Sequence, residues 1–218
     1  MNLIFDLDGT LIDSSVGIYR AYEESMQKYQ TPLEKNYFNN YIGPPIQKII
    51  KVLHPTLDDN TLMRIRNNFR DLYDNQYFLE FNIYENIINI IQKLSQKNNS
   101  FIVTNKPIKP AKKIINKLKL DENFLDVIGI DSFLSSGQDK SLNLLSLRNQ
   151  YLLDIKNSFY IGDTYSDFLS AKKNNIEFIA FAKGYHRWSK NELEEIKYIY
   201  YDTNELTSIL EFLNTRTR

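Results

Sequence analysis

Residues Leu3 to Asp13, Leu-Ile-Phe-Asp-Leu-Asp-Gly-Thr-Leu-Ile-Asp, constrain this chain more than any other stretch. A short apolar run, Leu3 to Phe5, stops at two carboxylates separated by one residue, followed by a glycine and a hydroxyl. Apolar runs of this length bounded by breakers suit a buried strand. Side chains two apart in an extended backbone point the same way, so Asp6 and Asp8 are expected to aim at one spot beyond the strand end. Carboxylates that close repel unless a cation, a shared proton or hydrogen bonds compensate. The arrangement invites a hard divalent metal, and Mg²⁺ takes one or two carboxylates together with waters and substrate phosphate.

The spacing beyond Asp13 predicts helices. Ser14 and Ser15 are N-cap candidates for a helix toward Gln30 that carries Ile18, Ala21, Tyr22, Met26 and Tyr29 on one face. Thr31-Pro32 breaks it, and a short segment through Phe38 and Tyr41 leads to the rigid turn Ile42-Gly43-Pro44-Pro45. A stripe of Ile46, Ile49, Ile50 and Leu53 follows, then a long helical pattern from about Asp58 to Phe81. Residues 15 to 82 therefore read as helical throughout, with no strand signal.

The pattern then changes to helices alternating with short apolar runs. Strands are expected at Phe101–Val103, Val127–Ile130, Phe159–Ile161, Phe178–Phe181 and Tyr198–Tyr201. Helices are expected at Tyr84–Gln96, Pro107–Leu118, Ser141–Tyr151, about Phe168–Lys173 and Asn204–Leu213. Alternation of this kind means an α/β fold with a doubly wound parallel sheet. The expected core is residues 1–14 and 83–218, interrupted by an all-helical domain of residues 15–82.

Bulk properties narrow the function classes. The chain has 218 residues with 27 basic and 27 acidic side chains, so no long-range field points to nucleic acid or an acidic membrane. The absence of cysteine excludes disulfides, thiolate metal sites and a cysteine nucleophile. No run approaches the roughly 18 apolar residues of a membrane span. The start carries no basic segment leading into an apolar stretch, so a signal peptide is not expected. A cytoplasmic protein, monomer or homodimer, with no nucleic-acid or membrane partner is the expectation.

In open α/β sheets the working residues sit at the carboxyl ends of the strands. The first strand ends in Asp6 and Asp8, and the second ends in Thr104-Asn105-Lys106-Pro107. The strand at Phe159 ends in Gly162-Asp163-Thr164, with Asp167 four residues beyond Asp163, and Lys140 opens the helix before that strand. Those groups suit phosphoryl transfer. Asp6 could attack phosphorus and carry the phosphoryl group, while Asp8 could protonate the leaving oxygen and then deprotonate water. Thr104, Lys140 and nearby backbone N–H groups could hold the phosphoryl oxygens. Asp163, with Asp6, could hold Mg²⁺. Gly9, Thr10, Asn105 and Lys106 are the remaining candidates for phosphate and substrate contact. Lys106 reads equally as a group meeting the substrate's far end or as a surface lysine.

Asp6-Leu7-Asp8-Gly9-Thr10, then Thr104, Lys140 and Gly162-Asp163-Thr164-Tyr165-Ser166-Asp167, resemble in order the four motifs of the haloacid dehalogenase superfamily of phosphatases. Val103-Thr104-Asn105-Lys106-Pro107 and Ile42-Gly43-Pro44-Pro45 are similar to its phosphoglycolate phosphatase-like branch. The resemblance implies a nucleophile at Asp6, a general acid and base at Asp8, and Mg²⁺ held by Asp6, the Asp8 carbonyl and Asp163. It implies that the helical insertion is a cap closing over a small phosphorylated metabolite. Asp167 is either a further ligand or a residue orienting Lys140 or a bound water. The substrate within that class, and hydrolysis as against return of the phosphoryl group to a sugar, stay open.

Competing readings fare less well. A calcium loop counted from Asp6 would put Leu11 where its glycine belongs and Gly17 where its glutamate belongs. A phospho-accepting receiver module carries its acceptor after the third strand and has no helical insertion. His54 and His186 have no partner at metal-ligand spacing and read as surface or packing residues. The lysines of 109 to 119 read as the solvated face of an amphipathic helix.

Overall fold

Strand β1 (Asn2–Phe5) buries the whole of Leu3, Ile4 and Phe5. Complete burial of a side chain of that size contributes on the order of 1.5–3 kcal/mol. Alternation along the strand sends Ile4 to the face shared with Phe101, Leu144, Tyr160 and Phe168. Phe5 points to the other face, where it meets Phe124 edge-on at 6.1 Å. The computed structural model describes residues 1–29, 32–133 and 139–216.

Further strands are β2 (Ile12–Asp13), β3 (Asn82–Ile83), β4 (Asn99–Val103), β5 (Asp126–Ile128), β6 (Ser158–Gly162), β7 (Glu177–Phe181) and β8 (Tyr198–Tyr200). The helices are α1 (Ser15–Met26), α2 (Lys35–Asn39), α3 (Ile46–Leu53), α4 (Asp59–Asn75), α5 (Ile87–Ser95), α6 (Ile108–Lys117), α7 (Lys140–Gln150), α8 (Tyr165–Lys173), α9 (Lys190–Glu194) and α10 (Thr203–Arg216). Chain contacts divide into two compact units, one of Met1–Ile12 with the chain from Ile83 onward, the other of Asp13–Asn82. Among the described residues no helix is long and apolar enough to cross a membrane.

The first unit is built on a six-stranded parallel sheet in the order β5-β4-β1-β6-β7-β8. From β1 the chain builds outward to β4 and β5, then crosses back to β6 on the other side of β1. The direction of winding therefore reverses at β1, the place where such sheets open a crevice at their carboxyl edge. Register aligns Phe5 with Ile102 of β4 and Ile161 of β6, so the residues that follow these three strands emerge together. In α6, Ala111, Ile114, Ile115 and Leu118 are buried while Lys109, Lys112, Lys113 and Lys117 face water, as the spacing predicts.

The second unit packs α1 against α4 around Tyr22, which is fully buried and stacked on Phe38 at 4.1 Å. The Tyr22 hydroxyl accepts the Leu33 N–H at 3.1 Å and shares a 2.9 Å hydrogen bond with His54 Nε2. His54 is thus a buried polar group inside a helical core, and burial lowers its pKa. Helix α4 starts where Asp58 accepts the Thr61 N–H at 3.0 Å, a side-chain N-cap.

Several boundaries differ from the spacing. The expected helix from Asp58 to Phe81 stops at Asn75 and gives way to a 3₁₀ turn at Tyr77–Leu79. Residues 15–82 are not helical to the end, because Asn82 belongs to β3, which pairs with β2 as a two-stranded ribbon. Both β3 residues are exposed, so no apolar alternation betrayed the strand. Helix α1 ends at Met26, and Gln30 and Thr31 lie outside the described residues. Helix α5 starts only at Ile87, since Asn86 sits at φ 60° and cannot continue a helix. The strand expected to reach Ile130 ends at Ile128, where Gly129 turns and donates its N–H to Ser132 Oγ. Helix α9 was not expected at all. It is short and polar, and its signature is the Ser189–Glu192 capping box rather than periodicity.

Gly17 lies where α1 meets the 3₁₀ turn. Its N–H donates to Glu80 O at 3.0 Å, and a Cβ there would sit 2.2 Å from Tyr77 O. Gly17→Ala should therefore destabilise the protein by roughly 1–3 kcal/mol through overpacking, although alanine is the better helix former. Chemical denaturation measures this, and an unchanged or raised midpoint would contradict the packing described.

Candidate active site

Asp6 follows β1 directly, and its N–H donates to Ile161 O at 2.8 Å, extending the pairing of β1 with β6 by one residue. Thr104 follows β4 in the same way, its N–H donating to Ile128 O at 3.0 Å. Asp163 follows β6. These are the ends of the three central strands, so backbone pairing alone brings two carboxylates and a hydroxyl to one edge.

Lys140 is the first residue of α7, a helix started by Asp139, whose side chain accepts the Ser141 N–H at 2.8 Å. Its ammonium is buried, 2.6 Å from Asp167 Oδ1 and 3.0 Å from Asp6 Oδ1. Asp167 belongs to the capping box of α8: Thr164 N–H and Thr164 Oγ1 donate to Asp167 Oδ2 at 3.1 and 2.6 Å. The hydroxyl of Tyr160, a fully buried residue of β6, lies 3.0 Å from Val103 O and 3.3 Å from Asp167 Oδ1. Both Asp167 oxygens are therefore engaged, Oδ1 by the Lys140 ammonium and Oδ2 by Thr164.

Asp163 is completely buried. Its Oδ2 accepts the Tyr185 N–H at 2.7 Å and its Oδ1 accepts the Thr10 hydroxyl at 3.3 Å. Gly9 packs directly on it: a Cβ at Gly9 would lie 2.2 Å from Asp163 Oδ2, and φ is +83°, a region that side chains other than glycine's rarely adopt. Asp8 turns elsewhere, with Oδ1 3.1 Å from the ammonium of Lys106. Lys106 is not a surface lysine: its side chain is only 4% exposed. Thr104 is buried, and its Oγ1 accepts the Lys106 N–H at 3.2 Å. A hydroxyl that accepts there still has its proton to give. Asn105 is exposed.

The structure thus gathers Asp6, Asp163, Asp167 and Lys140 into one cluster, sets Asp8 and Lys106 together beside it, and seats Gly9 and Thr10 against Asp163. Sequence reasoning missed Tyr160 and Tyr185, and named Thr164 only as part of a motif. Tyr160 was hidden in an apolar strand, where its hydroxyl was the only signal. Tyr185 acts through its backbone N–H, which no side-chain pattern reveals.

Oxygens of Asp6, Asp163 and Asp167 all lie within 4.8 Å of one another. Burial pushes the pKa of Asp6 up, and the neighbouring Asp167 and Asp8 charges add to this against the opposing pull of Lys140, leaving it at about 7. Burial raises Asp163 as well, again helped by Asp167 and Asp6. Burial works against the charge of Lys140, but the Asp167 and Asp6 carboxylates outweigh it and hold the ammonium well above its ordinary value. Asp6 Oδ1 stands at ion-pair distance from Lys140 yet accepts no aligned hydrogen bond among the described residues. An all-carboxylate donor set, excess buried negative charge and an unsatisfied buried oxygen fit a hard divalent cation such as Mg²⁺ held by Asp6 and Asp163.

Residues 3–181 match the family model described as haloacid dehalogenase-like hydrolase. A phosphoglycolate phosphatase of Rhodobacter capsulatus is 27% identical over 214 residues, 96% of each chain. A 5′-nucleotidase of Pseudomonas aeruginosa is 24% identical over 218 residues, 96% of this chain and 95% of that one. Among solved structures, a haloacid dehalogenase-like family hydrolase of Streptococcus pneumoniae superposes with a TM-score of 0.83 at 23% identity, covering 97% of both chains.

The raised pKa of Asp6 has a sign that can be tested without turnover. A carboxyl with a folded pKa near 7 and an unfolded value near 4 binds more protons folded, so its contribution to stability is present below pH 4 and is lost as pH rises through 7. In chelator, Asp6→Asn should therefore gain on the parent by about 3 kcal/mol between pH 5 and pH 8. Paired denaturation curves read the difference. A gap that moves in the parent's favour as pH rises would contradict the electrostatics described.

Proposed function

The chain belongs to the haloacid dehalogenase-like hydrolase family, and we propose that it is a Mg²⁺-dependent phosphatase cleaving a small phosphomonoester through a phosphoryl group carried on Asp6. The observation that carries this reading is the position of Asp6 at the centre of the carboxyl edge, with the Lys140 ammonium 3.0 Å away and Asp8 two residues on. Asp6 and Asp163, with the Asp8 carbonyl, would hold Mg²⁺. When bound, that ion offsets the negative charge of both phosphate and nucleophile.

The carboxylate of Asp6 attacks phosphorus, and the bond between phosphorus and the ester oxygen breaks. Asp8 gives its proton to the departing oxygen. The acyl phosphate on Asp6 is then attacked by water, which yields a proton to Asp8, and the phosphorus–Asp6 bond breaks to release inorganic phosphate and restore the Asp6 carboxylate and the Asp8 acid. Lys140, fixed by Asp167, and the free proton of the Thr104 hydroxyl hold the phosphoryl oxygens as charge develops. Asp8 is a built-in base for the second step, which favours turnover over a stored phosphoryl group.

Relatives named phosphoglycolate phosphatase and 5′-nucleotidase support small phosphomonoesters as the substrate class. Phosphoglycolate is the first candidate, and nucleoside monophosphates are the second. Substrate choice is assigned to the helical unit of Asp13–Asn82, which is inserted immediately after the reacting stretch.

A panel of metabolite phosphomonoesters together with p-nitrophenyl phosphate tests the reading. Hydrolysis should require Mg²⁺, stop in EDTA and return when Mg²⁺ is restored. Asp6→Asn should lower kcat on the order of 10³-fold or more. Turnover in excess chelator would remove the metal from the account, and ordinary activity in the variant would move the nucleophile elsewhere.

A further inference from the structure

The Lys106 backbone is held on both sides of its carbonyl and amide. Its N–H donates to Thr104 Oγ1 at 3.2 Å, and its carbonyl accepts the Ile130 N–H at 3.1 Å. Pro107, next in the chain, is the N-cap of α6. With the backbone pinned to the ends of β4 and β5, the Lys106 side chain runs inward and places Nζ 3.1 Å from Asp8 Oδ1. Burying an ammonium this completely is costly unless a counter-charge meets it, and Asp8 does.

The pairing also explains where Asp8 points. Asp8 stands two residues from Asp6, yet the oxygens that converge in the acidic cluster come from Asp6, Asp163 and Asp167. Asp8 Oδ1 is itself a buried atom with no aligned hydrogen bond among the described residues, so the Lys106 charge is what draws it aside. Each carboxylate of the Asp6-x-Asp8 stretch thus has its own lysine, Lys140 for Asp6 and Lys106 for Asp8.

We infer that Lys106 is a positioning residue for the leaving-group step: its ammonium holds the Asp8 carboxyl out of the acidic cluster and oriented for proton transfer, and does not bind the far end of the substrate. The inference rests on the phosphatase reading and on the role of Asp8 within it.

Three probes separate the roles of Lys106, because kcat/KM covers the steps up to departure of the leaving group. Glycerol 2-phosphate has a poor leaving group and no distal anion, phosphoglycolate has a poor leaving group and a distal carboxylate, and p-nitrophenyl phosphate has a leaving group that departs without a proton. Lys106→Met keeps the aliphatic stem and removes the charge. It should cost about 100-fold in kcat/KM on glycerol 2-phosphate and on phosphoglycolate alike, the lower range of what proton transfer contributes. The loss on p-nitrophenyl phosphate should be at least tenfold smaller, and Lys106→Arg should recover part of the loss on the two alkyl phosphates. A loss confined to phosphoglycolate would make Lys106 a substrate-binding residue, and an equal loss on all three probes would make its role merely structural. Either result overturns the inference.

A stability cycle reads the pairing without turnover. Lys106→Met should lower Tm less in an Asp8→Asn background than in the parent. Additive effects would overturn the pairing. Inactivity of the parent on every probe would instead fail the phosphatase reading, and the cycle would still decide the pair.

Discussion

Burying Asp6, Asp163 and Asp167 within reach of one another, beside the Lys140 ammonium, is the constraint on which the rest of the structure depends. Three carboxylates in a space closed to water repel one another strongly, and one ammonium offsets only part of that charge. Everything around them supplies compensation. Thr164 and Tyr160 hold Asp167, the Tyr185 N–H and the Thr10 hydroxyl meet Asp163, and Gly9 lets the backbone approach where a side chain would collide. Of these three carboxylates, Asp6 is the one that keeps an oxygen without an aligned donor among the described residues, and burial, with the Asp167 and Asp8 charges, holds its pKa raised.

The sheet makes this concentration of charge possible. Parallel strands β4 and β6 run one residue beyond β1 on either side of it, so Thr104, Asp6 and Asp163 need no loop to bring them together. Lys140 and Asp167 come instead from the first turns of α7 and α8, where Asp139 and Thr164 set the helix starts. The clustered groups are thus held by strand register and helix caps, which fix their positions in advance. Each carboxylate of the Asp6-x-Asp8 stretch faces a lysine of its own, Lys140 at Asp6 and Lys106 at Asp8.

The α/β sheet, its parallel strands and the cluster at its carboxyl edge were legible because apolar runs ending in Asp6, Thr104 and Asp163 combine two independent signals, burial and polarity. Lys140 was legible only from its place ahead of β6. What stayed hidden has physical reasons. The β2–β3 ribbon is two residues long on each side and β3 is exposed, so periodicity could not mark it. The end of α4 at Asn75 depends on where the 3₁₀ turn packs against α1, a tertiary contact that overrides the helical spacing through Phe81. Lys106 looked equally suited to solvent and to substrate, since nothing in its neighbours along the chain announces a partner at Asp8, 98 residues earlier. Tyr160 read as one more apolar strand residue, and its hydroxyl mattered only once Asp167 was seen beside it.

Trapping the phosphoryl group on the chain tests the central claim most directly. Trypsin releases Met1–Arg20 as one peptide, the first basic residue being Arg20, and that peptide contains Asp6, Asp8 and Asp13. Acid quenching during turnover of p-nitrophenyl phosphate, followed by mass spectrometry of this peptide, should find one added phosphoryl group, and fragmentation should locate it on Asp6. A phosphoryl group on any other residue, or an unmodified peptide under conditions where product forms in a burst, would contradict the account.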